Sequence, residues 1–212
     1  VCWDYLMTFL RNYTIQRRFF ILLTLVLVGF VILSWVSLTQ AHKSLLQQKH
    51  SANQQVVEVA FSVVEHFYQQ QVDGALSQDE AQNHAIAVIK SLKYDQGNYF
   101  WINDFSPTML MHPVKPALEG QNVGGIKDPD GTALFIDMLN IVEKNGEGFV
   151  PYKWPKPGVD NPVDKISFVK GFTPWQWIIG SGTYIDDIDD IFATQRNTLI
   201  ASALLLIILI TL

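Results

Sequence analysis

Seven side chains in the middle of this 212-residue chain are of types that can hold a small anion: Tyr99, Trp101, His112, Lys115, Tyr152, Trp154 and Lys165. Residues two apart on a strand share a face. Tyr99 and Trp101 therefore set a hydroxyl and an indole side by side, and Tyr152 and Trp154 do the same. His112 and Lys115 bracket Pro113, and Lys165 opens a β-prone stretch. A small anion offers little apolar area. Its binding energy has to come from charge-assisted hydrogen bonds in a place that excludes water. A cation and several donors inside an aromatic cage meet that need. Each residue also has an ordinary reading. Large aromatics dominate sheet cores, His112 can serve as a hydrogen-bonded brace for the proline loop, and a lone lysine is mostly a solvated surface charge. Trp175 and Trp177 read as packing for the last strand, and Gly180 and Gly182 as places of close packing or a bulge.

Catalytic constellations do not stand out. The chain has no Gly-x-Ser-x-Gly elbow, no phosphate loop and no His-Glu-x-x-His. His42, His50, His66 and His84 lie at spacings that match no metal template. Asp186, Asp187, Asp189 and Asp190 lack the alternating spacing of a calcium loop and read as a solvated helix start. The expectation is a binding protein without cofactor or metal, and not an enzyme. A membrane-anchored periplasmic hydrolase is the alternative from another class.

The elements around these residues give them a setting. Phe19 to Leu38 contains no charged residue, and a twenty-residue helix rises about 30 Å, the thickness of a bilayer's hydrocarbon core. A second apolar run, Leu199 to Leu212, is short for a span and reads as the start of a helix continuing in a longer parent protein. Arg11, Arg17 and Arg18 precede the first run, which places residues 1–18 in the cytoplasm by the positive-inside rule. Residues 19–38 are then a first membrane span, residues 39–198 an outer, periplasmic domain, and residues 199–212 the beginning of a second span. A domain between two spans suits a receptor that reports an outside event to the inside. The outer stretch carries 12 Lys and Arg against 19 Asp and Glu, which argues against a nucleic-acid partner, since that wants a basic face. The only cysteine, Cys2, precedes the first span, so the outer domain is expected to have neither a disulfide nor a thiol ligand.

Periodicity predicts the outer domain's elements. Ala41 to Val72 holds no Gly or Pro and reads as a long helix, ended at Asp73-Gly74. Ser77 and Glu80 form a capping box for a second helix to about Leu92. Tyr99 to Asn103 and Met109 to His112 make a hairpin around Pro107. Asp128-Pro129 reads as the start of a third helix that stops near Asn145-Gly146. Three strands follow, at 148–154, 165–172 and 175–183, with a long loop between the first two. Residues 184–195 form a last helix leading into the second span. The order implies an α+β domain, an antiparallel sheet with helices packed on it.

The strings YFWINDFSPTMLMHPVKPALEGQNV, DPDGTALF, GEGFVPYKWPKP, KISFVKGF and WQWIIGSGTYIDDI, in this order, resemble the single-Cache sensor domains, second subtype, of bacterial chemoreceptors (methyl-accepting chemotaxis proteins) and sensor kinases. The resemblance covers about residues 40–195. It implies a PAS-like antiparallel sheet on a long N-terminal helix, with a pocket on one sheet face that binds a small carboxylate such as acetate, propionate or pyruvate. It further implies a receptor of the bacterial inner membrane, most often serving chemotaxis and working as a homodimer through the exposed face of the long helix. A histidine kinase or a cyclic-dinucleotide enzyme can carry the same input, and a periplasmic protein partner is an alternative stimulus. The chain departs from similar sequences at Phe168, where a tyrosine is common, and a hydroxyl facing the ligand would be lost there.

Overall fold

The computed structural model describes residues 14–211. Cys2 and Arg11 lie outside the described residues, as do the side chains of Asp187 and Asp189. Two units are distinct: residues 45–188, and residues up to 44 together with 189 onward. In the second of these, two helices are long and apolar enough to cross a membrane. One belongs to α1, Ile15–Val72, an uninterrupted helix of 58 residues, and the other to α4, Asp186–Thr211.

Residues 45–188 form the α+β body. α2 (Gln78–Ser91) starts at the expected capping box: Ser77 accepts from the Glu80 amide, and the Glu80 carboxylate accepts from the Ser77 amide. Six antiparallel strands follow in two groups. β1 (Lys93–Tyr94), β2 (Asn98–Asp104) and β3 (Met109–Met111) precede α3 (Leu134–Asn145). β4 (Glu147–Pro155), β5 (Pro162–Phe172) and β6 (Trp177–Tyr184) follow it. The sheet order is β1-β2-β6-β5-β4, with β3 also paired to β2. β2 and β6 are thus neighbours across a long sequence separation.

Alternation along the strands divides the sheet into two faces. Phe100, Ile102, Phe168, Trp177 and Ile179 pack with Val57, Ala60 and Val64 of α1 and with Ala81, Ala85 and Ile89 of α2. Tyr99, Trp101, Tyr152, Trp154, Val169 and Ile178 pack with Leu134, Phe135 and Met138 of α3. Gly146, at φ +82°, ends α3 in a conformation that favours glycine.

Three local expectations change. Asp128 does not cap α3. Its carboxylate accepts from the amides of Asp130, Thr132 and Lys153, so it closes a turn and pins it to β4, and the helix begins at Leu134. An Asx turn competes for the same side-chain oxygen that would cap a helix. Trp175 lies in a 3₁₀ turn, Thr173–Trp175, rather than on the last strand. The two-residue strand β1 was not expected from its sequence.

Candidate functional site

The α3 face brings the seven candidate residues together. Register explains how. Tyr152 on β4 lies opposite Lys165 on β5, and Lys165 lies opposite Tyr184 on β6. Trp101 on β2 lies opposite Gly180 on β6. Lys165 is thus flanked by a tyrosine from each neighbouring strand. Its Nζ is 3.2 Å from the Tyr99 hydroxyl. It stands 4.5 Å from the centre of the Tyr99 ring, 4.8 Å from that of Tyr184 and 5.6 Å from that of Trp101.

The loop after β3 closes one side. The Tyr99 ring lies 5.0 Å from that of His112, and His112 lies 6.3 Å from Trp154. Lys115 sets its Nζ 4.3 Å above the Trp154 ring, and Trp154 meets Tyr152 at 6.2 Å. His112 braces the proline loop and packs beside Tyr99. Its Nδ1 accepts from the Lys115 amide, which shapes the proline loop, and its ring packs into the cage.

Two glycines make the face possible. A Cβ on Gly182 would meet Ser167 Oγ and come 2.7 Å from Lys165 Cε. One on Gly180 would run into the Trp101 ring. Close approach, not a bulge, accounts for both. Ser167 and Tyr184 are the members of this face that residue type and spacing do not single out. Extending the period-two pattern of β6 from Gly180 to Tyr184 was the signal that would have found the last.

The electrostatics are unusual. Lys165 is 2% exposed, and it donates to the neutral Tyr99 hydroxyl; no acid among the described residues pairs with it. Burial, reinforced by the Lys115 charge, brings its ammonium down to about 7. Burial, followed by the charges of Lys165 and Lys115, brings His112 down to about 3, so its imidazole is neutral. Burial pushes the Tyr99 hydroxyl up to about 12 and pushes Tyr152 and Tyr184 up as well. Tyr152 shares a 2.8 Å hydrogen bond with Ser167, and Tyr184 donates to the Pro155 carbonyl at 2.8 Å. The Trp101 indole N–H is buried without an acceptor among the described residues. Such a face can accept an anion: it offers an amine, an indole N–H and hydroxyls, and it excludes water.

Phe168 is not part of it. It lies on the opposite face, 4.8 Å from Phe149 and packed in the cluster that includes α1. A hydroxyl there would not reach the cage.

Comparison with known proteins gives a consistent picture. The family model described as Cache domain matches residues 31–202. The methyl-accepting chemotaxis protein McpP of Pseudomonas putida is 41% identical over 189 residues, 89% of this chain and 35% of its own length. The sensor histidine kinase MctS of Rhizobium johnstonii is 31% identical over 153 residues, 72% of this chain and 32% of its own. The chain thus spans about a third of the length of these relatives. A solved structure described as carboxylic acid recognition by a Cache chemosensory domain is 45% identical, with a TM-score of 0.66, over 68% of this chain and 99% of that one. A second, a periplasmic sensor domain of a chemotaxis protein, is 44% identical with a TM-score of 0.65, over 67% and 98%.

Proposed function

The chain belongs to the Cache domain family, and from that premise we propose that residues 39–198 are the extracytoplasmic sensor of a chemotaxis receptor that binds a small carboxylate on the α3 face of the sheet. The observation that carries this reading is Lys165, a buried amine without an acid partner. A carboxylate would supply the counter-charge that Lys165 lacks beside the Tyr99 hydroxyl, and the acceptor that the Trp101 indole N–H lacks. Tyr99 and Tyr152 add hydroxyls, and Tyr184, Trp154, His112 and Lys115 wall the cage. A buried cage with convergent donors favours direct binding of a small molecule over docking of a protein partner, which would use an exposed patch.

Signalling follows from how the face is tied to the helices. Asn53 of α1 donates to the carbonyls of Ile166 and Ser181, at 3.4 and 3.1 Å, one residue away from Lys165 and Gly182. Ser181 Oγ in turn donates to the Tyr99 carbonyl at 2.7 Å. A ligand that pulls on Lys165 and Tyr99 therefore acts on strands that α1 grips directly. β6 continues through Ile185 into α4. The ligand biases two arrangements of these helices only by its differential affinity for them. The two apolar helices cross the inner membrane in this reading, with the N-terminus inside. The relatives include both a chemoreceptor and a histidine kinase, and the output module decides between those fates. Dimerisation through the exposed side of α1 is part of the same proposal.

The test is binding without turnover. The chain, held in detergent or nanodiscs, is incubated with acetate, propionate, pyruvate and lactate, while melting and the acids are followed by NMR and fluorescence. At least one acid is expected to raise the melting temperature, since it binds the folded state preferentially, and to be recovered unchanged. Conversion of an acid would overturn the binding-module reading.

A further inference from the structure

We propose that the site takes up a proton together with its carboxylate, so that what it senses is the acid, anion plus proton, rather than the anion alone. This rests on the carboxylate reading above and specifies the form in which the site receives its ligand. The groups facing Lys165 can be named from every strand and loop around it. β2 presents Tyr99 and Trp101, β4 presents Tyr152 and Trp154, and β6 presents Tyr184. Its own strand adds Ser167. The loop after β3 adds His112 and Lys115.

Among these, the three tyrosines and His112 are neutral at physiological pH, and Lys115 repels. The nearby acids are engaged elsewhere. Glu119 binds the His112 amide and Lys90, Asp128 binds backbone amides, and Asp186 pairs through Oδ2 with Lys156 at 2.7 Å, its buried Oδ1 having no hydrogen-bond partner among the described residues. An ammonium at Lys165 would have only a hydroxyl and ring faces for company. Ring faces stabilise a cation far less than its removal from water destabilises it.

A carboxylate changes that balance. An opposite charge within about 4–6 Å favours the ammonium. A site whose amine is neutral before binding must then take one proton from solvent, as the neutral amine, the carboxylate and a proton become an ammonium–carboxylate pair. The sign follows. Below about pH 7 the free amine already carries its proton, and binding takes up none. Above that value each carboxylate brings a proton with it, and affinity falls about tenfold per pH unit until the complex itself titrates.

Calorimetry on the full chain in nanodiscs tests this, with propionate, acetate and pyruvate as probes, at pH 6 and pH 8. Each titration is run in phosphate and in Tris, which differ widely in ionisation heat. At pH 8 the two buffers should give different heats, corresponding to nearly one proton taken up per carboxylate. Affinity there should be about tenfold below that at pH 6, where uptake nearly vanishes. Lys115→Gln removes the repelling charge and should move the fall in affinity to higher pH. Binding with buffer-independent heats at pH 8 would overturn proton uptake alone. Absence of binding by all three acids at both pH values would overturn the carboxylate reading beneath it.

Discussion

On the helix face of the sheet, buried polar groups find partners inside the protein. Asn53 is held by two strand carbonyls, the Tyr94 hydroxyl meets Asn53 at 3.3 Å and Ser181 at 2.7 Å, and the Trp175 N–H reaches Gln71 at 2.8 Å. On the α3 face Tyr152, Ser167 and Tyr184 find partners, but other buried polar groups are left short. Lys165 has no counter-charge, and Trp101 Nε1 and Asn103 Oδ1 have no partner among the described residues. The same strands build both faces, so fold stability alone does not demand the second pattern. Natural proteins break the rule of polar satisfaction where function needs it. The helix face holds the domain together, and the α3 face carries the unpaired groups on which the proposed carboxylate site rests.

That contrast can be broken by substitution. Ile102→Ala, at a fully buried position on the helix face, should give the largest loss of stability, about 2–5 kcal/mol, while leaving carboxylate affinity within about twofold in the protein that remains folded. Thermal unfolding and calorimetry on the same preparation check both halves. A large affinity change would show that the faces are not independent.

Phe168→Tyr is the finer test. It places a hydroxyl on the helix face, at the position of Phe168. A hydroxyl buried without a partner costs about 1–3 kcal/mol, and melting should fall accordingly. Affinity for propionate should stay unchanged, because Phe168 packs with Phe149 and not with the cage. A gain in affinity would put the ligand on the wrong side of the sheet.

Much of this arrangement was legible in the sequence. Alternation alone put Tyr99 with Trp101 and Tyr152 with Trp154, and the capping box at Ser77 marked a helix start that stands. These signals are local, so a sequence carries them directly. What Lys165 lacks was not legible, because the absence of a partner depends on every chain segment that surrounds it. The side on which Phe168 falls was likewise hidden until the register of β5 was known. Gly182 read as close packing or a bulge, and which of the two it is, and which side chains it admits, emerged only when β5 and β6 met. Asp128 misled because one carboxylate can close a turn or cap a helix, and its bond to the Lys153 amide is a tertiary choice.

The most direct measurement is a propionate titration of the wild-type chain beside Lys165→Met at pH 6. Methionine fills the same space without the amine, so the variant should fold and melt higher, since removal of a buried amine that has no counter-charge recovers about 1–3 kcal/mol. Its affinity for propionate should fall about ten- to a hundredfold, the effect of losing a charge-assisted hydrogen bond. Unchanged affinity in a stabilised variant would contradict the account. It would send the ligand elsewhere, such as the cavity of about 290 Å³ lined by Lys156, Asp95 and Thr183.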